Sequence, residues 1–296
     1  MRIVVAGGSG FLGRSLSGAL RGAGHQVIVL TRRPARDGDL LWSPEMEGGA
    51  WTAAVHAADV VVNLAGEGIA DKRWSPSRKE AILNSRVRAT RALADVLREA
   101  VRPAVFLSSS AVGIYGDCGD AEVTETRAPG SDFLARTCVA WELEARAAAD
   151  VTRTVLLRTG VVLARQAGAL PQIAMPFRFF AGGPLGSGRQ FMSWIHCEDW
   201  VAMVLWAMES SAISGPVNVT APMPVRNVDF ARTLGHVLGR PALLPAPAFA
   251  LRLALGELAD TALLSGQRVT PAVALANGFR FRYPELRPAL QRIYGE

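Results

Sequence analysis

The chain begins with a short apolar run that leads directly into a glycine-rich turn. Residues Arg2–Ala6 have the length and the apolar character of a buried strand, and the sequence of Gly7–Gly13, GGSGFLG, follows at once. Leucines then recur at helical spacing up to Leu20, and Gly24 is placed to end a helix. A strand, a glycine turn and an amphipathic helix in this order predict the first unit of a Rossmann-type domain.

The glycines of this turn suit the binding of a pyrophosphate. One glycine permits a tight turn with positive φ, another lets the backbone approach the phosphates, and a third lets the helix pack close to the strand. The helix N-terminus adds free N–H groups and a partial positive charge. We therefore expect the pyrophosphate of a nicotinamide dinucleotide to contact Gly7, Gly10, Phe11, Leu12 and Gly13.

The end of the second predicted strand, Gln26–Thr31, indicates which dinucleotide binds. An NAD site places Asp or Glu there to accept hydrogen bonds from the ribose hydroxyls. Here the strand ends in Thr31, Arg32 and Arg33, and the first acid is Asp37. A guanidinium can hold a 2′-phosphate through two hydrogen bonds. These three residues therefore predict a site for NADP(H) rather than NAD(H), the alternative being that both arginines merely face solvent.

Apolar runs continue to alternate with helical stretches along the chain. Strands are predicted at 59–63, 104–108 and 154–158, and long helices at 76–100 and 132–149. This alternation predicts an α/β fold, a Rossmann-type doubly wound parallel sheet with its cofactor crevice at the carboxyl ends of the strands.

Beyond about residue 165, glycine and proline interrupt the pattern and shorter helices follow, at 227–238 and 247–264. We therefore predict a NAD(P)-binding Rossmann domain over 1–165, to which 189–220 return. Residues 166–296 are predicted to form a smaller mixed, mainly helical C-terminal lobe.

Composition narrows the class of protein. Half of the 296 residues are hydrophobic and a fifth are charged, which favours a packed core over disorder. No apolar run approaches the roughly 18 residues of a membrane span, and the N-terminus lacks a signal peptide, so a cytoplasmic protein is expected. The net charge of +6 is spread over dispersed arginines, which argues against a nucleic-acid surface. We expect a small-molecule substrate, no membrane partner, and a monomer or homodimer.

The three cysteines are far apart in the sequence. Cys118, Cys138 and Cys197 form no CxxC pair, which argues against both a disulfide framework and a zinc site. We expect no metal, and we expect these thiols to be reduced and at least half-buried.

Several segments closely resemble one branch of the extended short-chain dehydrogenase/reductase superfamily. Besides the glycine turn, they are Asn63–Glu67, Ala70–Trp74, Asn84–Arg86, Ser108–Asp117, Phe191–His196 and Gly278–Pro284. The branch comprises NAD(P)-binding epimerase-family, or atypical short-chain dehydrogenase/reductase, proteins that end in a small C-terminal domain of unassigned function. Residues 241–290 resemble that domain.

The resemblance implies further cofactor contacts along the chain. Small residues after the third strand would bring backbone near the adenosine ribose and the pyrophosphate. Two residues on the next helix would face the cofactor. One residue just past the fifth strand would belong to the turn that runs beside the nicotinamide. The residues so implied are Leu64, Ala65, Gly66, Glu80, Arg86 and Val161. For Glu80, a solvated helix face is an equal alternative.

The sequence departs from the superfamily at its Tyr-x-x-x-Lys pair, in which the lysine lowers the pKa of the tyrosine. Four residues after Tyr115 stands Gly119, and the two lysines of the chain, Lys72 and Lys79, are not placed to form the pair. The corresponding positions on the predicted helix are Leu134 and Cys138, or Phe133 and Thr137.

Part of the superfamily's reaction site persists. The resemblance places Ser110 where a Ser or Thr binds the substrate carbonyl, and Tyr115 follows on the next loop. We predict both as catalytic residues, the alternative for Tyr115 being a half-buried loop tyrosine. The run Lys72–Trp74 suits an anionic or planar ligand, or is a surface loop with one anchoring tryptophan. His196 and Asp199 resemble a structural turn of the superfamily.

Two functions follow from the resemblance and from the missing pair. The first is an NADP(H)-binding oxidoreductase or nucleotide-sugar-epimerase-like protein of unknown substrate with a rearranged proton donor, drawn from Ser110, Tyr115 or a water held by them. The second is a non-catalytic NADPH-binding regulatory or sensor protein, a role linked to cell division in some relatives.

Overall fold

The buried strand at the N-terminus lies at the centre of a parallel sheet. The structure, a computed structural model, describes residues 1–100 and 105–295. The side chains of Ile3, Val4, Val5 and Ala6 are fully buried, which accounts for the unbroken apolar run in the sequence. The first predicted helix and strand form as expected, whereas residue 104 of the predicted fourth strand lies outside the described residues.

The described part of the chain contains thirteen short or long strands. They are β1 (Arg2–Ala6), β2 (Gln26–Thr31), β3 (Leu40–Leu41), β4 (Val60–Asn63), β5 (Val105–Ala111), β6 (Glu122–Val123), β7 (Arg153–Thr159), β8 (Val161–Leu163), β9 (Phe191–Met192), β10 (Trp194–His196), β11 (Gly215–Val219), β12 (Val225–Arg226) and β13 (Arg268–Val269).

Ten α-helices connect these strands within the same described residues. They are α1 (Phe11–Gly22), α2 (Ala50–His56), α3 (Pro76–Glu99), α4 (Phe133–Arg146), α5 (Leu170–Arg178), α6 (Cys197–Glu209), α7 (Asn227–Leu238), α8 (Ala248–Leu255), α9 (Ala272–Ala276) and α10 (Leu286–Tyr294). A short 3₁₀ turn, Val112–Tyr115, follows β5, and a π-type turn, Ala259–Leu263, follows α8.

Seven strands form the central sheet in the order β11-β7-β5-β4-β1-β2-β3, and all of them are parallel. From β1, the chain adds β2 and then β3 towards one edge of the sheet. It then adds β4, β5, β7 and β11 towards the opposite edge. The strand order therefore reverses between β1 and β4, and ligands of open α/β sheets bind at the carboxyl ends of the strands at such a point.

Apolar side chains cover both faces of this sheet. One core packs α1 and α6 on one face, through Leu16, Leu20, Trp200 and Met203 among others. A second core packs α2, α3 and α4 on the opposite face, around Leu93. The predicted doubly wound α/β fold is confirmed.

The C-terminal lobe contains shorter elements around a third core, which includes Trp194, Phe230 and Leu290. The predicted single helix over 247–264 is wrong, because α8 ends at Leu255 and the chain turns at Gly256 with a φ of +63°. Periodicity alone could not separate two short helical stretches from one long one.

Membrane-spanning helices and clusters of metal ligands were sought among the described residues alone. None of the helices found there has the length and the apolar character that a membrane span requires. No group of three or more metal-ligating side chains is assembled among them either.

Candidate functional site

A cleft of about 830 Å³ opens at the carboxyl ends of β1 and β4, where the strand order reverses. Its walls are the turn after β1, the end of β2, the segment after β3, the segment after β4 and one side of α3. It brings together most of the residues that the sequence predicts for cofactor binding, namely Gly7, Gly10, Thr31, Arg32, Arg33, Leu64, Ala65 and Gly66.

The turn after β1 is closed by glycines that no larger residue could replace. Gly7 has a φ of +75°, and a Cβ there would lie 2.7 Å from the Leu64 carbonyl carbon. A Cβ on Gly13 would overlap with the Gly7 carbonyl oxygen. The sequence predicts this cradle, and the close approach of the segment after β4 to the turn explains why Gly7 is required.

The first turn of α1 supplies polar groups for an anion. Phe11 and Leu12 begin this helix, no side chain caps its N-terminus, and its first turn carries no acid. The first N–H groups of a helix have no partner within the helix, and together they favour an anion. The turn and α1 therefore fit the pyrophosphate of a dinucleotide.

The end of β2 adds two cationic side chains to the cleft. Arg32 and Arg33 are exposed, and within residues 1–100 and 105–295 neither has an ion pair. The Thr31 hydroxyl donates to Ser9 Oγ at 3.1 Å and accepts from the Arg33 N–H at 3.2 Å, which fixes the turn that carries both arginines. Two acids line the cleft, and each is near another arginine: Glu45 lies 4.0 Å from Arg88, and Glu67 pairs with Arg78.

The segment after β4 forms the opposite wall, and Arg86 supports it from behind. The Arg86 guanidinium donates to the carbonyls of Ile82 and Glu67, each at 2.9 Å, and stacks over Trp141. Burial lowers its pKa from the ordinary value. Arg86 itself lies outside the cleft lining, and its guanidinium, engaged by the carbonyls of Ile82 and Glu67, supports the wall; its contact with the cofactor stays a prediction.

Glu80 and Val161 also lie outside the cleft lining, as do Phe11, Leu12 and Gly13 at the start of α1. Glu80 is exposed on α3 and accepts a long hydrogen bond, 3.4 Å, from Asn84, so the solvated helix face is what the structure shows. Val161 is the first residue of β8, which follows the end of β7 along the chain. Its N–H donates to the Ser193 carbonyl at 2.8 Å. The segment after β8 returns over the turn, and a Cβ on Gly168 would lie 3.3 Å from the Phe11 ring.

The two predicted catalytic hydroxyls are buried in one polar network. Ser110 Oγ donates to Glu142 Oε1 at 2.7 Å, and the Tyr115 hydroxyl donates to Asn218 Oδ1 at 2.6 Å. Arg158 donates to Glu142 and, at 3.0 Å, to the Tyr115 hydroxyl. Ser110 and Tyr115 are only 4 % and 3 % exposed.

This network has a chemical consequence for Ser110 and Tyr115. Burial also raises the pKa of Tyr115 above its ordinary value. Each hydroxyl proton already points at a buried acceptor, so neither hydroxyl is free to donate to a ligand in this arrangement. The prediction of both as proton donors is therefore not supported by the geometry.

The resemblance implies that α4 corresponds to the helix that carries the Tyr–Lys pair in the superfamily. Leu134 lies against Gly113, and Cys138 lies beside Ser110. Complete burial raises the pKa of the Cys138 thiol to about 12. A neutral, buried thiol cannot supply the positive charge with which the lysine of that pair lowers the pKa of a tyrosine.

The basic run Lys72–Trp74, in the loop after β4, contacts the C-terminal lobe. Trp74 Nε1 donates to the Ile69 carbonyl at 2.8 Å, and the indole meets Phe133 edge-on at 5.0 Å. Arg73 donates to the Leu253 carbonyl at 3.2 Å, whereas Lys72 is exposed. The run thus contains one anchoring tryptophan and one arginine held by the C-terminal lobe.

His196 and Asp199 occupy the structural turn that the resemblance implies. His196 Nδ1 accepts from the Glu198 N–H at 3.1 Å and caps α6, while its ring stacks on Tyr283. Asp199 accepts from the backbone N–H groups of Arg282 and Tyr283. Both residues tie the C-terminal segment to α6.

Sequence reasoning missed the charged partners in the buried network. Arg158 stands in the apolar run of β7, and Glu142 stands on the buried side of α4. A charge within a buried strand requires an opposite charge nearby, and this signal could have paired the two residues. Asn218, which accepts from Tyr115, and Glu125, whose carbonyl accepts from Arg158 at 3.0 Å, carried no comparable signal in the sequence.

Comparison with known proteins covers the whole chain. Residues 3–220 match the NAD dependent epimerase/dehydratase family, and residues 246–293 match a domain of unknown function, DUF1731. Epimerase family protein YfhF of Bacillus subtilis is 41 % identical over 302 residues, which are 100 % of this chain and 99 % of that protein.

Two solved structures are also similar. The human epimerase family protein SDR39U1, crystallised with NADPH, has a TM-score of 0.90 and 35 % identity, with 99 % of each chain covered. A Corynebacterium glutamicum structure described as a nucleoside-diphosphate sugar epimerase has a TM-score of 0.82 and 34 % identity, covering 99 % of this chain and 58 % of that one.

The cleft has the glycine turn and the strand reversal of a NAD(P)-binding fold, and these matches extend the likeness from β1 to α10. The chain belongs to the NAD dependent epimerase/dehydratase family, within the extended short-chain dehydrogenase/reductase proteins that carry this C-terminal domain.

Proposed function

We propose that this chain binds NADP(H) in the cleft, in preference to NAD(H). The observation that carries the proposal is the pair of exposed guanidinium groups, Arg32 and Arg33, at the end of β2, where an NAD site would have a carboxylate. Their lack of ion pairs in the described chain leaves them free for a 2′-phosphate. The presence of NADPH in the similar human structure supports the same cofactor.

The residues of the cleft divide the binding of such a cofactor between them. The N-terminus of α1 would hold the pyrophosphate, and Arg32 and Arg33 would hold the 2′-phosphate. Leu64, Ala65 and Gly66 would form the wall beside the adenosine ribose. NADPH bound here would supply a hydride, and the chain would orient the cofactor and exclude water.

For the activity, we favour an oxidoreductase or epimerase-like reaction on a small molecule. The description of the similar Corynebacterium glutamicum protein as a nucleoside-diphosphate sugar epimerase supports this class. The hydroxyls of Ser110 and Tyr115 are held in the buried network, so the proton would come from water or from the substrate itself. We place this activity in the cytoplasm, in a monomer or homodimer without nucleic-acid or membrane partners.

The engaged hydroxyls also favour a second candidate, an NADPH-binding protein without turnover. Fluorescence titration with NADPH and NADH tests the binding proposal, and tighter binding of NADPH is expected. A screen of carbonyl compounds and nucleotide sugars with the NADPH-loaded protein then separates the candidates. Oxidation of NADPH or epimerisation by any of them supports the enzyme, saturable binding without conversion supports the second candidate, and the absence of binding overturns both.

A further inference from the structure

Helix α8 of the C-terminal lobe contributes no buried side chain to a core. None of its eight residues is buried, and Phe249 and Leu253 are 72 % and 76 % exposed. Before the helix, the Gly186 N–H donates to the Ala246 carbonyl at 2.8 Å. After it, the chain becomes buried at Leu258. We call residues 248–257 the latch segment.

Two cations of the Rossmann domain hold the latch segment. Arg73 Nη1 donates to the Leu253 carbonyl at 3.2 Å, and Lys79 Nζ donates to both carboxylate oxygens of Glu257 at 2.9 and 2.8 Å. The Lys79 ammonium also lies 4.8 Å from the centre of the Phe133 ring, at the start of α4. The latch segment is thus joined to the loop after β4 and to the first turn of α3.

The same loop and helix form walls of the cofactor cleft. The loop lines the cleft with residues 64–67 and then reaches Arg73, while α3 carries Lys79 and lines the cleft with Asn84 and Arg88. A ligand in the cleft would therefore lie against the same loop and the same helix that carry the two residues holding the latch segment. The Lys79–Glu257 pair is partly exposed, and exposed ion pairs are individually weak, so the closed position is easily biased.

We propose that a dinucleotide bound in the cleft stabilises the latch segment in the closed position that these contacts define, so that the C-terminal domain couples its position to the bound dinucleotide through Arg73 and Lys79. The proposal rests on the proposed binding of NADP(H). It gives the C-terminal domain a role in retaining the cofactor. Because coupling between two events is reciprocal, breaking the contacts of Lys79 weakens NADPH binding by the factor by which NADPH favours closure.

Hydrogen exchange of the whole protein, followed by mass spectrometry over residues 248–257, tests this coupling. We expect saturating NADPH to slow exchange there about fivefold, near the lower end of typical coupling between sites. In Glu257→Gln and in Lys79→Met the slowing is lost, and the Kd for NADPH rises by about the same factor. Glu144→Gln is the matched control, since the Arg91–Glu144 pair also joins α3 to another helix but does not touch the latch segment.

The results separate this proposal from the binding proposal. Fluorescence titration first establishes whether NADPH binds at all, which concerns the proposed function alone. If NADPH binds but leaves exchange over 248–257 unchanged, the coupling is wrong. It is equally wrong if both Glu257→Gln and Lys79→Met keep the protection seen in the unaltered protein. Loss of protection in both, with protection kept in Glu144→Gln, supports it.

Discussion

Arg158 on β7 and Glu142 on the buried side of α4 are joined by two hydrogen bonds of 2.8 and 2.9 Å. The guanidinium and the carboxylate are both almost fully buried. The same two side chains hold the hydroxyls of Tyr115 and Ser110. This pair therefore organises the surroundings of the two hydroxyls that the sequence predicts as catalytic.

Glu142→Gln should destabilise the protein strongly. The amide cannot balance the buried guanidinium of Arg158, and breaking a buried ion pair from one side costs about 3–5 kcal/mol. Urea denaturation measures the change in the free energy of unfolding. Glu144→Gln, two residues further along α4, loses an exposed partner, Arg91, and should cost less than about 1 kcal/mol. Equal costs for the two variants would show that the buried pair does not stabilise the fold.

Two glycines of α1 should respond to alanine in opposite directions. In Gly13→Ala, the new Cβ meets the Gly7 carbonyl and the Gly8 backbone, so we expect a loss of about 1–3 kcal/mol and weaker NADPH binding. In Gly18→Ala, the Cβ meets nothing within 4 Å, so the helix should gain about 0.5–1 kcal/mol with cofactor affinity unchanged. Thermal unfolding with and without NADPH checks both, and a tolerated Gly13→Ala would contradict the close packing of the turn.

His196 should make stability fall in mild acid. Burial lowers the pKa of His196 below 6.5, with Glu198 and Asp199 acting in the opposite direction and Arg282 and Arg292 acting with burial. The folded state thus prefers the neutral ring, whose Nδ1 caps α6. The resulting stability is present above pH 6.5 and is lost as the pH falls through the lowered folded-state pKa.

Comparison with His196→Asn isolates this effect. Asparagine keeps a side-chain acceptor for the helix cap but does not titrate in this range. Free energies of unfolding from pH 7.5 to pH 5 should therefore fall more steeply in the unaltered protein than in the variant. The role assigned to the neutral ring fails if the two profiles run parallel.

The central part of the fold was predictable from local patterns. The unbroken apolar runs of β1 and β2 and the glycine turn fixed their positions to the residue. The two-residue strand β3 and the short helix α2 were not predicted, since elements of this length carry almost no periodic signal. Their omission also concealed the part of the cleft wall that follows β3, which includes Trp42 and Glu45.

The cofactor cleft was more predictable than the reaction site. The tight turn after β1 requires glycines, and Arg32 directly follows the last residue of β2. Both features can therefore be recognised within short segments of the sequence. The state of Ser110 and Tyr115 depends instead on partners far away in sequence, such as Asn218, which lies 103 residues from Tyr115. No local pattern shows that a hydroxyl will be engaged by such a partner.

The most direct test of the account is the affinity of Arg32→Ala for NADPH and for NADH, measured side by side by fluorescence titration. Hydrogen bonds to charged groups contribute about 1.5–3 kcal/mol, so the Kd for NADPH should rise roughly 10- to 100-fold. The Kd for NADH should change little, because NADH has no 2′-phosphate. Arg36→Ala, an exposed arginine outside the cleft lining, is the control and should leave both values unchanged. Equal weakening of NADPH and NADH in Arg32→Ala would contradict the assignment of the 2′-phosphate to the end of β2.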